Sequence, residues 1–215
     1  MSENGSTVQR LGEDIIYDNQ TLKASLEEST QATFSLAGRA YYVQGQILKG
    51  NPEIKQGELF SRLCEPNEKY TIITLLPEPY ASDLFFLYAY KCNAKVSIYR
   101  LESPEITNGK RFDDITGDRL DSKTFELIYS NVYVFSDTVV RSFKELNDGL
   151  DDQTIYTMLL PHEYGISVLD RVALPTTING TNSTKNLRVD SISNALIGIS
   201  STGIDQIQLS FDTRS

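Results

Sequence analysis

His162 is the only histidine among the 215 residues, and so the only conventional imidazole base. A single imidazole excludes a multi-histidine metal site. The chain shows no nucleophile-elbow serine and no P-loop glycine pattern. Cys64 could serve as a nucleophile beside His162 only if two distant parts of the chain met at that spot. Pro161-His162-Glu163-Tyr164 reads instead as an exposed turn. Carboxylates are abundant, and a glycoside hydrolase would need two of them roughly 5–10 Å apart across a groove. The adjacent pairs Asp113-Asp114 and Asp151-Asp152 do not suit that, because neighbours on an extended strand point to opposite faces. Asp113, Asp114 and Asp118, or Asp148, Asp151 and Asp152, have the oxygen ligands calcium requires, but not the EF-hand spacing; solvated acidic loops are expected. No catalytic, metal-ligating or cofactor-binding residue is assigned, and no cofactor is expected.

Tyr80, Tyr88, Tyr90, Tyr99, Tyr156 and Tyr164 could stack on sugar faces, although strand tyrosines more often pack at a core edge or an oligomer seam. Asn179-Gly180-Thr181 and Asn182-Ser183-Thr184 are glycosylation-like triplets that read as a polar loop between strands. Cys64 and Cys92 read as small buried hydrophobes rather than a disulfide framework.

The formal charge of −9 is spread over both halves of the chain, so neither offers the basic surface that phosphate neutralisation needs; nucleic acid is not an expected partner. No apolar run approaches the roughly 20 residues of a membrane-spanning helix, and no membrane insertion is expected. Met1-Ser2-Glu3-Asn4-Gly5 opens polar, without a signal-peptide pattern, which predicts synthesis in a cytoplasm. A hydrophobic content of 40% with 23% charged residues is that of a folded globular chain.

Behind these residues the dominant pattern is strand-like. Val132 and Val134 alternate with Tyr133 and Phe135, and Ile207, Leu209 and Phe211 with Gln208 and Ser210, the period expected when one face is buried. Thr71–Leu76 and Asp83–Tyr90 are continuous apolar runs, as in central strands or strands covered on their second face. Pro66, Pro77, Pro79, Pro161 and Pro175 are expected between strands. Three phrases recur in order: Thr33-Phe34 running into Tyr41-Tyr42-Val43 returns at Thr124-Phe125 and Val132-Tyr133-Val134; Leu63-Cys64-Glu65-Pro66 returns at Leu159-Leu160-Pro161; Asn93–Ile98 returns at Asn194–Ile199. Their separations widen from 91 through 95 to 101 residues, as loop insertions in a tandem duplication would produce.

These signals predict an all-β chain with two tandem antiparallel β-sandwich (jelly-roll-like) domains, residues 31–103 and 121–215, joined by a linker at 104–120. Residues 1–30 read as a partly helical tail or anchor, with a short helical pattern over Thr21–Glu28. Leu11, Ile15, Ile16, Leu22 and Leu26 are the candidate partner-anchoring residues.

Within each copy, Val43-Gln44-Gly45-Gln46-Ile47, Ile54–Leu63, a proline-bearing turn and a closing Asn93–Ile98 follow one another, with Leu159–Tyr164 and Ile197-Gly198-Ile199 as counterparts. This order resembles the small β-sandwich modules of bacteriophage tail fibres and baseplate receptor-binding proteins. The resemblance implies a non-enzymatic structural or adhesion protein of a virus particle (tail fibre, baseplate or capsid accessory component), made in a host cytoplasm and located in the virion. Its implied partners are other virion proteins, its own copies in a homo-oligomer such as a trimer, and a cell-surface saccharide. A free carbohydrate-binding module is the alternative reading, and a glycoside hydrolase with paired carboxylates the third.

Overall fold

The computed structural model describes residues 3–32, 39–49, 54–101, 125–141, 153–178, 181–194 and 203–212. The described part is nearly all β, in two antiparallel six-stranded sheets, each closed into a barrel. The first comprises β1 (Glu13–Tyr17), β2 (Gln20–Ala32), β3 (Arg39–Leu48), β4 (Leu59–Arg62), β5 (Glu65–Pro77) and β6 (Leu84–Lys91). The second comprises β7 (Ala94–Leu101), β8 (Phe125–Arg141), β9 (Gln153–Pro161), β10 (Arg171–Ile178), β11 (Thr181–Asn194) and β12 (Ile204–Phe211). Around the barrels the orders are β1-β2-β3-β6-β5-β4 and β7-β8-β9-β12-β11-β10, one topology used twice. A helix, α1 (Glu3–Leu11), precedes the first barrel.

Alternation accounts for the interiors. Ile15, Tyr17, Val43, Ile47, Phe60, Ile72, Leu87 and Ala89 point into the first core. Val96, Ile98, Val132, Val134, Met158, Leu160, Val189 and Leu209 point into the second. The alternating reading of β8 and β12 is therefore correct. In β12 Ile207 and Leu209 are buried, while Phe211 at its end is half exposed. Tyr70 to Thr74 of β5 are buried without a break; a bulge between Ile72 and Thr74 interrupts the alternation there, and β5 also touches β8 of the other barrel. Each barrel closes by pairing its first strand with its fourth: Ile15 with Arg62, and Ile98 with Val172. Closure leaves no sheet edge unpaired, and it replaces the expected pair of stacked sheets with one sheet wrapped around one core.

The expected domain limits and anchor are corrected by strand pairing. Residues 13–32 are β1 and β2, joined by the tight turn Asp18-Asn19, whose positive φ angles of 45° and 60° suit a two-residue hairpin. Leu22 and Leu26, four apart, share a face in a helix and in a strand alike; Ala24 between them, fully buried on that same face, reveals the strand. The helix lies earlier, where α1 buries Val8 against Leu48, Ala81 and Leu84 at one end of the first barrel. Asn93–Ile98 does not close the first module; Ala94 begins the opening strand of the second barrel. The junction is thus Cys92-Asn93. The expected linker 104–120 falls outside the described residues, between β7 and β8 of a single barrel.

The repeat is real at the level of topology, but its register differs from the echoed phrases, which set β3 against β8 and β7 against the end of β11. Backbone hydrogen bonds define the true equivalents. Gly57 N–H donates to Ile72 O and Ile72 N–H to Glu58 O; Leu169 N–H donates to Val189 O and Val189 N–H to Asp170 O. Lys49 N–H to Asp83 O matches His162 N–H to Gly203 O, and Cys92 N–H to Lys69 O matches Asp212 N–H to Asn186 O. Directly after Ile72 and Val189, β5 and β11 each carry a bulge in the same ladder.

Two sequence features gain physical reasons. Gly45 of Val43-Gln44-Gly45-Gln46-Ile47 lets β2 approach, since a Cβ there would lie 1.9 Å from the Ser25 carbonyl oxygen. Pro66, Pro77 and Pro161 lie at or next to strand ends, whereas Pro175 lies within β10, paired with Thr184. β10 pairs with β7 only as far as Ala173, so a residue without an amide donor is tolerated two positions later.

Candidate functional site

Among the described residues, a cluster of partly exposed aromatic side chains lies on the outside of the first barrel and crosses onto the second. Burial of Val43 and Ile47 in β3, and of Phe85, Leu87 and Ala89 in β6, turns Tyr42, Gln44 and Gln46 outward beside Phe86, Tyr88 and Tyr90. The register pairs Tyr42 with Tyr90, Gln44 with Tyr88 and Gln46 with Phe86. Tyr42 and Tyr88 have ring centroids 4.8 Å apart, and Tyr88 meets Tyr90 edge-on at 5.4 Å. Tyr90 then stacks on Phe135 of β8 at 4.6 Å with an interplanar angle of 16°. Such contacts each stabilise by about 0.5–1.5 kcal/mol beyond area burial. The strip therefore helps join the barrels as well as presenting rings to solvent. Burial and the neighbouring Tyr90 raise the pKa of Tyr88, so its hydroxyl remains a neutral donor and acceptor through the physiological range. Gln46 donates to Glu78 at 3.4 Å, which places an amide and a carboxylate beside the rings.

The junction residues reinforce this arrangement. Asn93 pairs through its side chain with the backbone of Ser136, donating from Nδ2 to its carbonyl at 2.6 Å and accepting from its amide at 2.8 Å. Its own N–H donates to Val134 O at 3.1 Å. The site glycine that matters is Gly57, at φ +89°: a Cβ there would lie 3.2 Å from Pro161 Cβ of the second barrel. Its missing side chain permits that close approach.

His162 sits in a short 3-10 turn, His162–Tyr164, with its side chain 63% exposed, as the sequence suggests. Its Nδ1 lies 3.0 and 3.1 Å from the carboxylate oxygens of Asp205, which is buried. A buried carboxylate orienting an imidazole is half of a base-and-orienter arrangement. Among the described residues no hydroxyl or thiol is hydrogen-bonded to the ring. Sequence reasoning missed Asp205 because the two are 43 residues apart and meet only through the pairing of β9 with β12.

The five anchoring candidates do not form one surface. Ile15 is fully buried in the first core, Leu22 and Leu26 pack partly buried against it, and Ile16 is half-buried on β1. Leu11, at the end of α1, alone is well exposed, at 71%. Four of the five are thus part of β1 or β2 of the barrel, which corrects the expectation of a separate anchor. Cys64 is exposed in the β4–β5 turn, contrary to the buried expectation; Cys92 is buried, with Sγ 3.1 Å from Thr71 Oγ1. Both thiols are free. Burial pushes the Cys92 thiol up to about 11.

Of the tyrosines named from sequence, Tyr88 and Tyr90 belong to the strip and Tyr80 is 93% exposed in the β5–β6 loop. Tyr156 is buried in the second core, while Tyr164 packs edge-on against Tyr129 at 4.9 Å. Tyr99 lies half-buried on β7. The acidic groups Asp113, Asp114, Asp118 and Asp148, Asp151, Asp152 lie outside the described residues, as do Asn179 and Gly180; Asn182–Thr184 belong to β11 rather than to a loop. No group of three or more metal-ligating side chains occurs among the described residues. No helix there is long and apolar enough to cross a membrane. The chain matches no family model, no curated protein and no solved structure.

Proposed function

We propose that the chain is a non-enzymatic structural or adhesion component of a virus particle, acting by presenting the outer face of its paired barrels to a partner. The observation that carries the binding role is the aromatic strip Tyr42, Phe86, Tyr88, Tyr90 and Phe135, continuous from one barrel to the other. Rings left partly in water on a sheet face favour association with another surface. The placement in a virion rests on the resemblance of the Val43–Ile47 and Ile54–Leu63 phrases to tail fibre and baseplate modules. Other virion proteins and further copies of the chain are the partners this reading implies.

The test is a Phe86→Ser/Tyr88→Ser double variant, both positions being on the outer face. Native folding with loss of self-association in sedimentation, or loss of incorporation into particles, is the expected outcome. Unchanged assembly in a folded variant overturns the reading. A carbohydrate-binding module is the second reading, favoured by Gln44 and Gln46 standing on the same face as Tyr42 and Tyr88; sugar hydroxyls bind amides while sugar C–H faces stack on rings. A glycan array separates the two readings, because ligand capture by a lone protomer belongs to the second alone.

A further inference from the structure

A concave feature lies between the barrels and is built from both. Its first-barrel wall carries Tyr17, Asp18, Lys55 and Glu58; its second-barrel wall carries Tyr133, Glu163 and Tyr164. Gly57 and Pro161, whose close contact joins the walls, also line it. The cavity volume is about 740 Å³, within the range of small-ligand sites. It exists only because the two barrels meet, since neither supplies more than one wall.

The lining selects its ligand by charge and by ring faces. Asp18, Glu58 and Glu163 share the lining with one cation, Lys55, and a second, Lys95, lies beside it over the ring of Tyr133. Glu58 accepts from the Tyr17 hydroxyl and from the Lys55 backbone N–H at 2.8 Å, both neutral donors, so its negative charge is not cancelled. Asp18 and Glu163 are exposed and make no ion pair among the described residues. An anion entering this space meets net repulsion, whereas a cation gains from the carboxylates and from the partly exposed rings of Tyr133 and Tyr164. The protein already uses that chemistry nearby, with Lys95 Nζ 4.5 Å from the Tyr133 ring centroid. Leu59 and Pro161 supply apolar surface for an alkyl stem.

We propose that the inter-barrel cleft is a binding site for an organic cation, an alkylammonium or guanidinium group on a short aliphatic stem. This site is independent of the outer aromatic strip.

The experiment is an NMR titration of the full chain with agmatine, with a neutral oligosaccharide as the contrasting probe. Agmatine is expected to shift the resonances of Tyr133, Glu163 and Tyr164, more weakly as salt is raised. The D18N/E163Q variant changes two exposed side chains, and asparagine tolerates the positive φ of position 18. It should weaken binding roughly tenfold or more, and Lys55→Met should strengthen it by removing a competing cation. The proposal is overturned if agmatine causes no shifts, if D18N/E163Q binds it equally well, or if only the oligosaccharide perturbs the cleft. A short arginine-containing peptide identifies the source: tighter binding than agmatine assigns the cation to a partner chain, and equal or weaker binding to a free small molecule.

Discussion

The two barrels share their backbone hydrogen bonds but stabilise equivalent places with different side-chain chemistry. In the first, Glu58 is held by the hydroxyl of Tyr17; in the second, Asp170 at the equivalent place is gripped by Arg100 through two bonds of 2.9 and 3.2 Å. After the sixth strand, Cys92 meets Thr71 in the first barrel, whereas Asp212 meets Arg171 at 2.7 Å in the second. Where the first barrel places Phe85 under the Lys49 ammonium, 4.7 Å from the ring centroid, the second places Asp205 beside His162. At these places one fold thus accepts a neutral hydroxyl, a thiol and a cation–ring contact in one copy, and carboxylates bonded to arginine or histidine in the other. The backbone requires only that each buried polar group find a partner.

The comparison is tested most severely by removing the acids. Asp170 is buried and also accepts from Ser167 N–H at 2.8 Å, so Asp170→Ala should cost about 3 kcal/mol, leaving that amide without its acceptor and Arg100 with only the Gly165 carbonyl. Glu58→Ala removes an acceptor from neutral donors and should cost about 1 kcal/mol. Urea unfolding measures both, and equal losses would dissolve the distinction between the copies.

A somewhat smaller effect separates them in alkali. The folded-state pKa of Cys92 is about 11, raised by burial above its ordinary value of 9.0. Between these values the unfolded chain releases its proton first, so stability is fully present below about pH 9 and falls as pH rises toward 11, by on the order of 2–3 kcal/mol. Tyr17 and Tyr70 in the same barrel are raised too, Tyr17 by burial and Glu58, Tyr70 by burial and Glu65. Denaturant unfolding at pH 8 and pH 10.5 should show the loss, and Cys92→Ala should reduce it; a pH-independent midpoint contradicts the assignment.

The smallest expected effect concerns the equivalent turns. Gly57 and Leu169 both have positive φ, +89° and +77°, but only the first is a glycine. Gly57→Ala should destabilise by about 1–2 kcal/mol through backbone strain, with added crowding against Pro161. Leu169 is half exposed, and Leu169→Gly should stabilise by up to about 1 kcal/mol as the strain is relieved. Thermal unfolding of the two variants should shift in opposite directions; shifts of one sign would mean that the turns are not equivalent.

The sequence by itself determined the all-β class, because alternation at Val132/Val134 and Ile207/Leu209 is a local property of each strand. It also determined the His162 turn, and it raised the expectation of a duplication, of which the structure shows a repeated strand order. Its register for that duplication failed because apolar strand phrases resemble one another, so β3 and β8 matched although they are third and second in their barrels. Leu22 and Leu26 were equally ambiguous, since a spacing of four fits both periods. Gln44, Gln46, Tyr88 and Tyr90 were readable as strand residues, but their assembly into one face required the β3–β6 pairing of segments some 45 residues apart. Barrel closure, the Asp205–His162 and Arg100–Asp170 pairs, and the cleft between the copies were decided by tertiary structure alone. Each depends on which strands become neighbours, and that is set by long-range pairing and shared core burial rather than by any local pattern.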